Sequence, residues 1–351
     1  MKVLRAPGML LATALLGSVI GGCVAAPSTP PPKPVALVYR TVPAPAMQLG
    51  IDVDFYTYTG QDVAGEASTD VAYVKSLHAN AISISFPFFT PGAGSSVVEA
   101  TNATPTPAEL AIIASAAERA GLYVSLRPLL DQSSSSIGTS RTTWKPVDPA
   151  AWFASYRKFL LPYAAMAQRA RIPEFIDGAE FTAFGGSQYW NGLVTSLHAV
   201  YQGTLVYANN WGIALAGNGG AGVREAVDSY HPLTVPAGAS LARVTAGWRA
   251  YDRTLPAGTV QTEVGIAAVR GAYAVPYQNH WRGAPLMPVI QARWFTAACD
   301  AAASERLGGV YFWSLGLGQP LHTPPTTATP TSWVDSPGAS AISSCFQRLG
   351  G

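Results

Sequence analysis

The chain has 351 residues, of which 12% are charged and 48% hydrophobic, so it can build one large core or two average ones and carries no disorder signature outside its ends. Its net charge of +2 comes without any run of Lys or Arg, which excludes nucleic acid as the main partner because phosphate binding needs clustered cations. Trp and Tyr are abundant and many fall in predicted loops, a habit shared by sugar-stacking surfaces and by ordinary cores.

The N-terminus speaks for export. Lys2 and Arg5 precede an apolar run, Met9 to Ile20, that is too short to span a bilayer comfortably. Ile20-Gly21-Gly22-Cys23 then resembles a bacterial lipobox, an aliphatic residue and two small ones before the Cys that receives lipid. The other reading is an ordinary signal peptide cut near Ala25-Ala26. The expectation is a signal peptide over residues 1–22, lipidation at Cys23, and a Pro- and Ser-rich tether over residues 23–47. Such a protein is an exported, membrane-anchored lipoprotein of the bacterial cell envelope; no protein partner is evident. If Cys23 carries lipid, Cys299 and Cys345 remain, and outside the cytoplasm they form a disulfide or stay as two buried thiols.

Residues 48–351 hold the predicted elements. Gln48 to Tyr56 is a first strand with acids near its end, followed by a helix over Ser68 to Ala79 that Asn80 caps. Ala81 to Phe88 is the second strand. Thr106, Pro107 and Glu109 mark a helix start with a capping box, and Leu110, Ile113, Ala114 and Ala117 form its buried stripe. Leu122 to Pro128 is the third strand, which the Pro ends. Asp148-Pro149 caps a helix with Trp152, Tyr156, Phe159, Leu160 and Tyr163 at helical spacing. The fourth strand runs from Phe175 into Glu180 and a Gly-Gly loop, and the helix after it carries Trp190, Leu193, Val194, Leu197 and Tyr201. Thr204 to Ala208, Ala226 to Tyr230 and Thr259 to Glu263 are the next three strands. A long helix over Pro288 to Leu307 leads to an eighth strand, Val310 to Trp313, and Pro337 opens a closing helix that holds Cys345.

Eight short strands alternating with helices fit an α/β protein, a (β/α)8 TIM barrel of one domain. In that fold the working residues stand at the C-terminal ends of the strands. Glu180 and Glu263 each close a strand, the fourth and the seventh, where a charge is costly unless chemistry or a partner uses it.

That placement resembles the clan A glycoside hydrolases, barrels with an acid/base Glu after strand four and a nucleophile Glu after strand seven. Leu126-Arg127-Pro128 with Asp131, the Trp144 loop, Trp152-Phe153 with Tyr156, Gly178-Ala179-Glu180-Phe181, Tyr207 to Trp211, Asp228 to Leu233 and Thr262 to Gly265 together look like glycoside hydrolase family 113, whose known members are β-mannanases. The resemblance implies Glu180 as acid/base and Glu263 as nucleophile of a retaining enzyme acting on β-glycosidic bonds, β-mannan being the first candidate. It also implies that Tyr230 bonds the nucleophile and that Trp313 lies beneath a sugar. Where much of the clan has Asn before the acid/base, this chain has Ala179, and Asn209 or Asn210 is the candidate to supply the amide. Trp144, Trp211, Tyr277 and Trp281 are loop aromatics that line further sugar sites or pack locally. Asp54, Arg127, Asp131 and Asp228 bind sugar hydroxyls or pair among themselves.

Other chemistries lack their signatures. The five histidines show no HxH or HExxH spacing, so no metal is expected; no cofactor is expected either. Gly217 to Gly220 lacks the Lys of a phosphate loop, and no Gly-x-Ser-x-Gly elbow occurs. The alternative from another class is a barrel without catalysis that binds glycans or scaffolds the envelope, since a fold does not dictate a function.

Overall fold

The computed structural model describes residues 41–133 and 135–350. Residues 1–22 and Cys23 therefore lie outside the described residues, as does most of the predicted tether. Eight parallel strands close into a barrel in chain order: β1 (Gln48–Asp54), β2 (Ala81–Phe88), β3 (Tyr123–Leu130), β4 (Glu174–Ala179), β5 (Thr204–Asn210), β6 (Arg224–Asp228), β7 (Val260–Val264) and β8 (Gly309–Gly316). β1 pairs with both β2 and β8, so no edge is left open. Among the described residues seven α-helices wrap the strands: α1 (Val63–Ser76), α2 (Pro107–Arg119), α3 (Pro149–Ala170), α4 (Tyr189–His198), α5 (Leu241–Asp252), α6 (Pro288–Ser304) and α7 (Pro337–Leu349). The expected single-domain (β/α)8 barrel is thus the observed one.

Local rules account for most boundaries. The capping box of α2 is formed, with Thr106 N–H donating to Glu109 at 2.7 Å and Glu109 N–H to Thr106 Oγ1 at 3.3 Å. Asp148 accepts from Ala151 N–H at 3.1 Å and starts α3.

Two expectations are corrected. Asn80 does not cap α1; the chain leaves that helix through His78 at φ 63°, and the Asn80 amide instead accepts from Leu49 N–H at 2.8 Å, stitching β1 to its neighbour. Pro128 does not end β3, which runs on to Leu130. The β3–β4 ladder stops at Leu126, so beyond it β3 is bonded on one side only and tolerates a Pro as an edge does. Between β6 and β7 stands α5, for which no element was expected; Ser240 caps it, and Val244 and Trp248 are on its buried face. Between β5 and β6 there is a loop and no helix among the described residues.

Cys299 of α6 and Cys345 of α7 form a disulfide with Cα atoms 6.4 Å apart, both side chains fully buried. Closing a loop of 46 residues, it contributes about 2–4 kcal/mol by restricting the unfolded chain.

Candidate active site

One cleft of about 880 Å³ opens at the C-terminal ends of the strands. Glu180 and Glu263 both line it, together with Asp54, Asp131, Asn210, Trp211, Tyr230 and Trp313. All eight are expected from the sequence at strand ends or in the loops just beyond, and the barrel brings them to one mouth.

Glu180 is the first residue after β4. Its backbone sits at φ 58°, a left-handed conformation that a non-glycine residue holds only when its surroundings impose it. The constraint comes from the packing on either side. Glu180 N–H donates to Ala208 O of β5 at 2.8 Å, and Phe181 is buried among Trp152, Phe184 and Trp190. Two residues earlier, a Cβ at Gly178 would lie 2.6 Å from Trp190 and 2.8 Å from Tyr207, so only glycine lets those rings close on the strand. Both carboxylate oxygens of Glu180 are held. Asn210 Nδ2 donates to Oε1 at 2.9 Å, and Arg141 Nη2 donates to Oε2 at 2.8 Å. Arg141 comes from the loop between β3 and α3 and is itself fixed by its bond to Leu130 O at 2.9 Å.

Glu263 stands in β7 with different company. Tyr230 donates its hydroxyl to Oε2 at 2.8 Å, and Arg127 Nη2 lies 2.5 Å from Oε1. Arg127, fully buried in β3, also pairs with Asp228 of β6 at 2.7 Å, and Thr262 donates to the other Asp228 oxygen at 2.8 Å. Burial pushes the Glu263 carboxyl up, and the adjacent guanidinium pulls it back toward the ionised form. Burial likewise pushes the Tyr230 hydroxyl well up, so it stays a proton donor to the carboxylate.

Tyr277, a predicted loop aromatic, lines the cleft as well, but the other five predicted residues do not. Arg127 and Asp228 lie beneath it as an ion pair with no exposed surface, positioned to support Glu263 and out of reach of a sugar. Asn209 turns away to Glu225 at 2.5 Å and to Ala226 O, so of the two asparagines only Asn210 reaches Glu180. Trp144 is buried against Trp152 and Phe184, its indole N–H given to Ala93 O at 3.0 Å. Trp281 folds back on its own loop, donating to Gln278 O at 2.8 Å. Arg141 and Tyr56 also line the cleft, and neither is among the site residues expected from the sequence. Arg141 carries no local signal, since its partner is 39 positions away.

Deeper in the barrel, burial raises the Asp52 carboxyl from 3.8 to about 7, with Arg127 lowering it by less. A carboxyl raised in the folded state keeps its proton where the unfolded chain has lost it, so between pH 4 and 7 folding takes up a proton and stability falls as pH rises. Asp54 is raised to about 7 by the same cause and adds to the slope. Asp52→Asn removes one of the two contributions. Its free energy of unfolding relative to the parent protein, measured by denaturant titration, should therefore climb between pH 5 and pH 8 by on the order of a few kcal/mol. A constant offset across that range would show that Asp52 is not buried as a neutral acid.

The sequence profile of Glycoside Hydrolase Family 113 matches residues 53–318, more than half of the chain. The protein belongs to glycoside hydrolase family 113. Among solved structures it is similar to a family 113 β-1,4-mannanase solved as a complex, at 16% identity and a TM-score of 0.71, over 86% of this chain and 99% of that one. The family 113 β-mannanase from Alicyclobacillus acidocaldarius gives 19% identity and a TM-score of 0.70, over 86% and 98%. A family 5 xyloglucanase from Paenibacillus pabuli follows at 13% and 0.54, over 86% and 99%. At these identities the likeness shows the shared fold. No curated protein matches the chain. As a family 113 member it is a glycoside hydrolase with a carbohydrate substrate.

Proposed function

We propose that this family 113 enzyme hydrolyses β-1,4-mannosidic bonds with retention of configuration, Glu263 acting as nucleophile and Glu180 as acid/base. The observation that carries this reading is the unequal surroundings of two carboxylates in one cleft. Glu263 has a guanidinium on one oxygen and a phenol on the other, which favour an anion ready to attack. Glu180 stands at the neighbouring wall, oriented by Arg141 and Asn210 toward the open space. The choice of mannan is supported by the mannanases among its structural relatives.

In the first step Glu263 Oε attacks the anomeric carbon as the bond to the leaving oxygen breaks, and Glu180 gives that oxygen its proton. The product is a glycosyl ester on Glu263. In the second step water attacks the same carbon, Glu180 takes the water's proton, and the ester bond to Glu263 breaks. Two carboxyl groups about 5–5.5 Å apart serve this sequence, because that gap seats no separate attacking water. Incubating the protein with linear β-1,4-mannan and following proton NMR tests the reading. A β-configured reducing sugar should appear first; an α sugar, or no release from mannan, would overturn it.

The mature protein is further proposed to be held at the membrane by lipid on Cys23, a reading supported by the lipobox pattern alone. Incorporation of labelled fatty acid should vanish in Cys23→Ser; labelling that persists rules the anchor out.

A further inference from the structure

The outer face of α3 and α4 serves neither the cleft nor the core. Two adjoining hollows of about 370 and 870 Å³ run between these helices and share Ala154 and Arg157. Their walls are mostly apolar, with Phe153, Leu161, Leu193 and Val200 among the residues that line them. Together they make a groove along the side of the barrel.

Charge is segregated on this face. From Pro149 to Gly203 the exposed charged side chains are Arg157, Lys158, Arg169 and Arg171. The acids of that stretch are Glu174 and Asp177, which are buried, and Glu180, which is held in the cleft. α3 and α4 themselves contain no Asp or Glu. Among the described residues none of the four cations has an ion-pair partner. The whole chain is nearly balanced, with 22 cations and 20 acids, so four unopposed cations on one face are a local excess. Arg157 and Lys158 rim the groove, and Arg169 stands one turn beyond Ala165, another of its lining residues.

An apolar floor with a cationic rim suits an amphiphile with an anionic head. A polar polymer would leave the apolar walls unmatched. A second copy of this chain, docked about a two-fold axis, would set the same cations against each other.

We propose that the α3–α4 face docks on a bilayer containing anionic phospholipid, with phosphate heads on the four cations and acyl chains against the groove. The inference goes beyond the hydrolase reading and does not depend on it. α3 and α4 flank β4 on the side of the barrel, so the cleft at the strand ends stays open when this face meets a bilayer. Residues 24–40 reach at most about 60 Å when fully extended, so lipid on Cys23 would leave this face free to turn to the membrane.

The test is cosedimentation of the full-length protein carrying Cys23→Ser with vesicles of phosphatidylcholine, alone or mixed with phosphatidylglycerol. Lys2, Arg5 and the apolar run after them are common to every variant and cancel in the comparison. The parent should prefer the anionic vesicles. Arg157→Glu with Lys158→Glu should lower that preference at least about tenfold, since each cation near an anionic surface strengthens binding about fivefold. Arg157→Gln with Lys158→Gln, a milder change, should lose part of it. Reversing Arg243 and Arg249, exposed cations of α5, should leave it unchanged. All these side chains are exposed, so each variant should melt with the parent. A parent without anionic preference, or an equal loss on reversing the α3 and α5 pairs, would overturn the proposal. A dimer in solution that Arg157→Glu with Lys158→Glu takes apart would overturn it too, by assigning the face to a second copy.

Discussion

Replacing Glu263 by Ala should abolish turnover of every glycoside, with kcat down on the order of 10⁴-fold or more, because no covalent intermediate can form. The size of the effect follows from the site. Glu263 is the carboxylate in the cleft that both Arg127 and Tyr230 contact, and no other acid there has that pair of partners to take its place. The substitution also removes one of the two carboxylates that Arg127 pairs with, leaving its buried ion pair with Asp228 at 2.7 Å. Glu263→Gln keeps the shape and serves as the control: a well-folded Gln variant without activity isolates the chemistry from stability. Turnover by Glu263→Gln above one hundredth of the parent rate would show that another group is the nucleophile.

Glu180→Ala is expected to fail differently. General acid catalysis is worth about 10²–10⁴-fold, and that factor should be lost for mannan, whose leaving group is a poor one. A substrate with an activated leaving group needs no proton, so its first step should survive and the glycosyl-enzyme should accumulate for want of a base. Azide needs no base to attack that ester. Added azide should therefore restore turnover, giving a β-glycosyl azide by a second displacement at the anomeric carbon. A β-glycosyl azide from Glu180→Ala, set against no product but an α-glycosyl azide from Glu263→Ala, where azide itself attacks from the vacated side, assigns the two roles. An azide product of α configuration, or indifference of Glu180→Ala to azide, would sink the assignment.

Arg141 enters both experiments. It holds Glu180 Oε2 at 2.8 Å while Leu130 O holds Arg141, so the loop between β3 and α3 reports to the acid through one guanidinium. Asn210 completes the arrangement from β5. Together they supply, from outside β4, the amide and the cation that the residue before Glu180, Ala179, has no side chain to provide.

Much of this protein is written locally in its sequence. The alternation of short apolar strands with capped helices determined the barrel, because each α-helix start and each strand period depends on residues within a few positions of one another. A Glu at the C-terminal end of a strand, just past β4 at Glu180 and within the last two residues of β7 at Glu263, was legible for the same reason, and a closed barrel places all these strand ends at one rim. The pairing of Cys299 with Cys345 followed as an expectation from the number of cysteines and the signs of export. The choice between Asn209 and Asn210 was not legible. Successive residues of a strand point to opposite faces, and the β4–β5 register shifts between Ile176 and Gly178, where a glycine lets Trp190 and Tyr207 close in. That shift is a property of two strands packed together, and no reading of β5 alone contains it. The same holds for Arg127 and Asp228, whose meeting across the barrel turned two candidate sugar ligands into a buried support for Glu263. Trp144 and Trp211 are both loop tryptophans with nothing local to separate them. Only the tertiary structure decided that one fills the core against Trp152 and the other stands open at the cleft, because burial is set by whatever distant chain arrives to cover a ring.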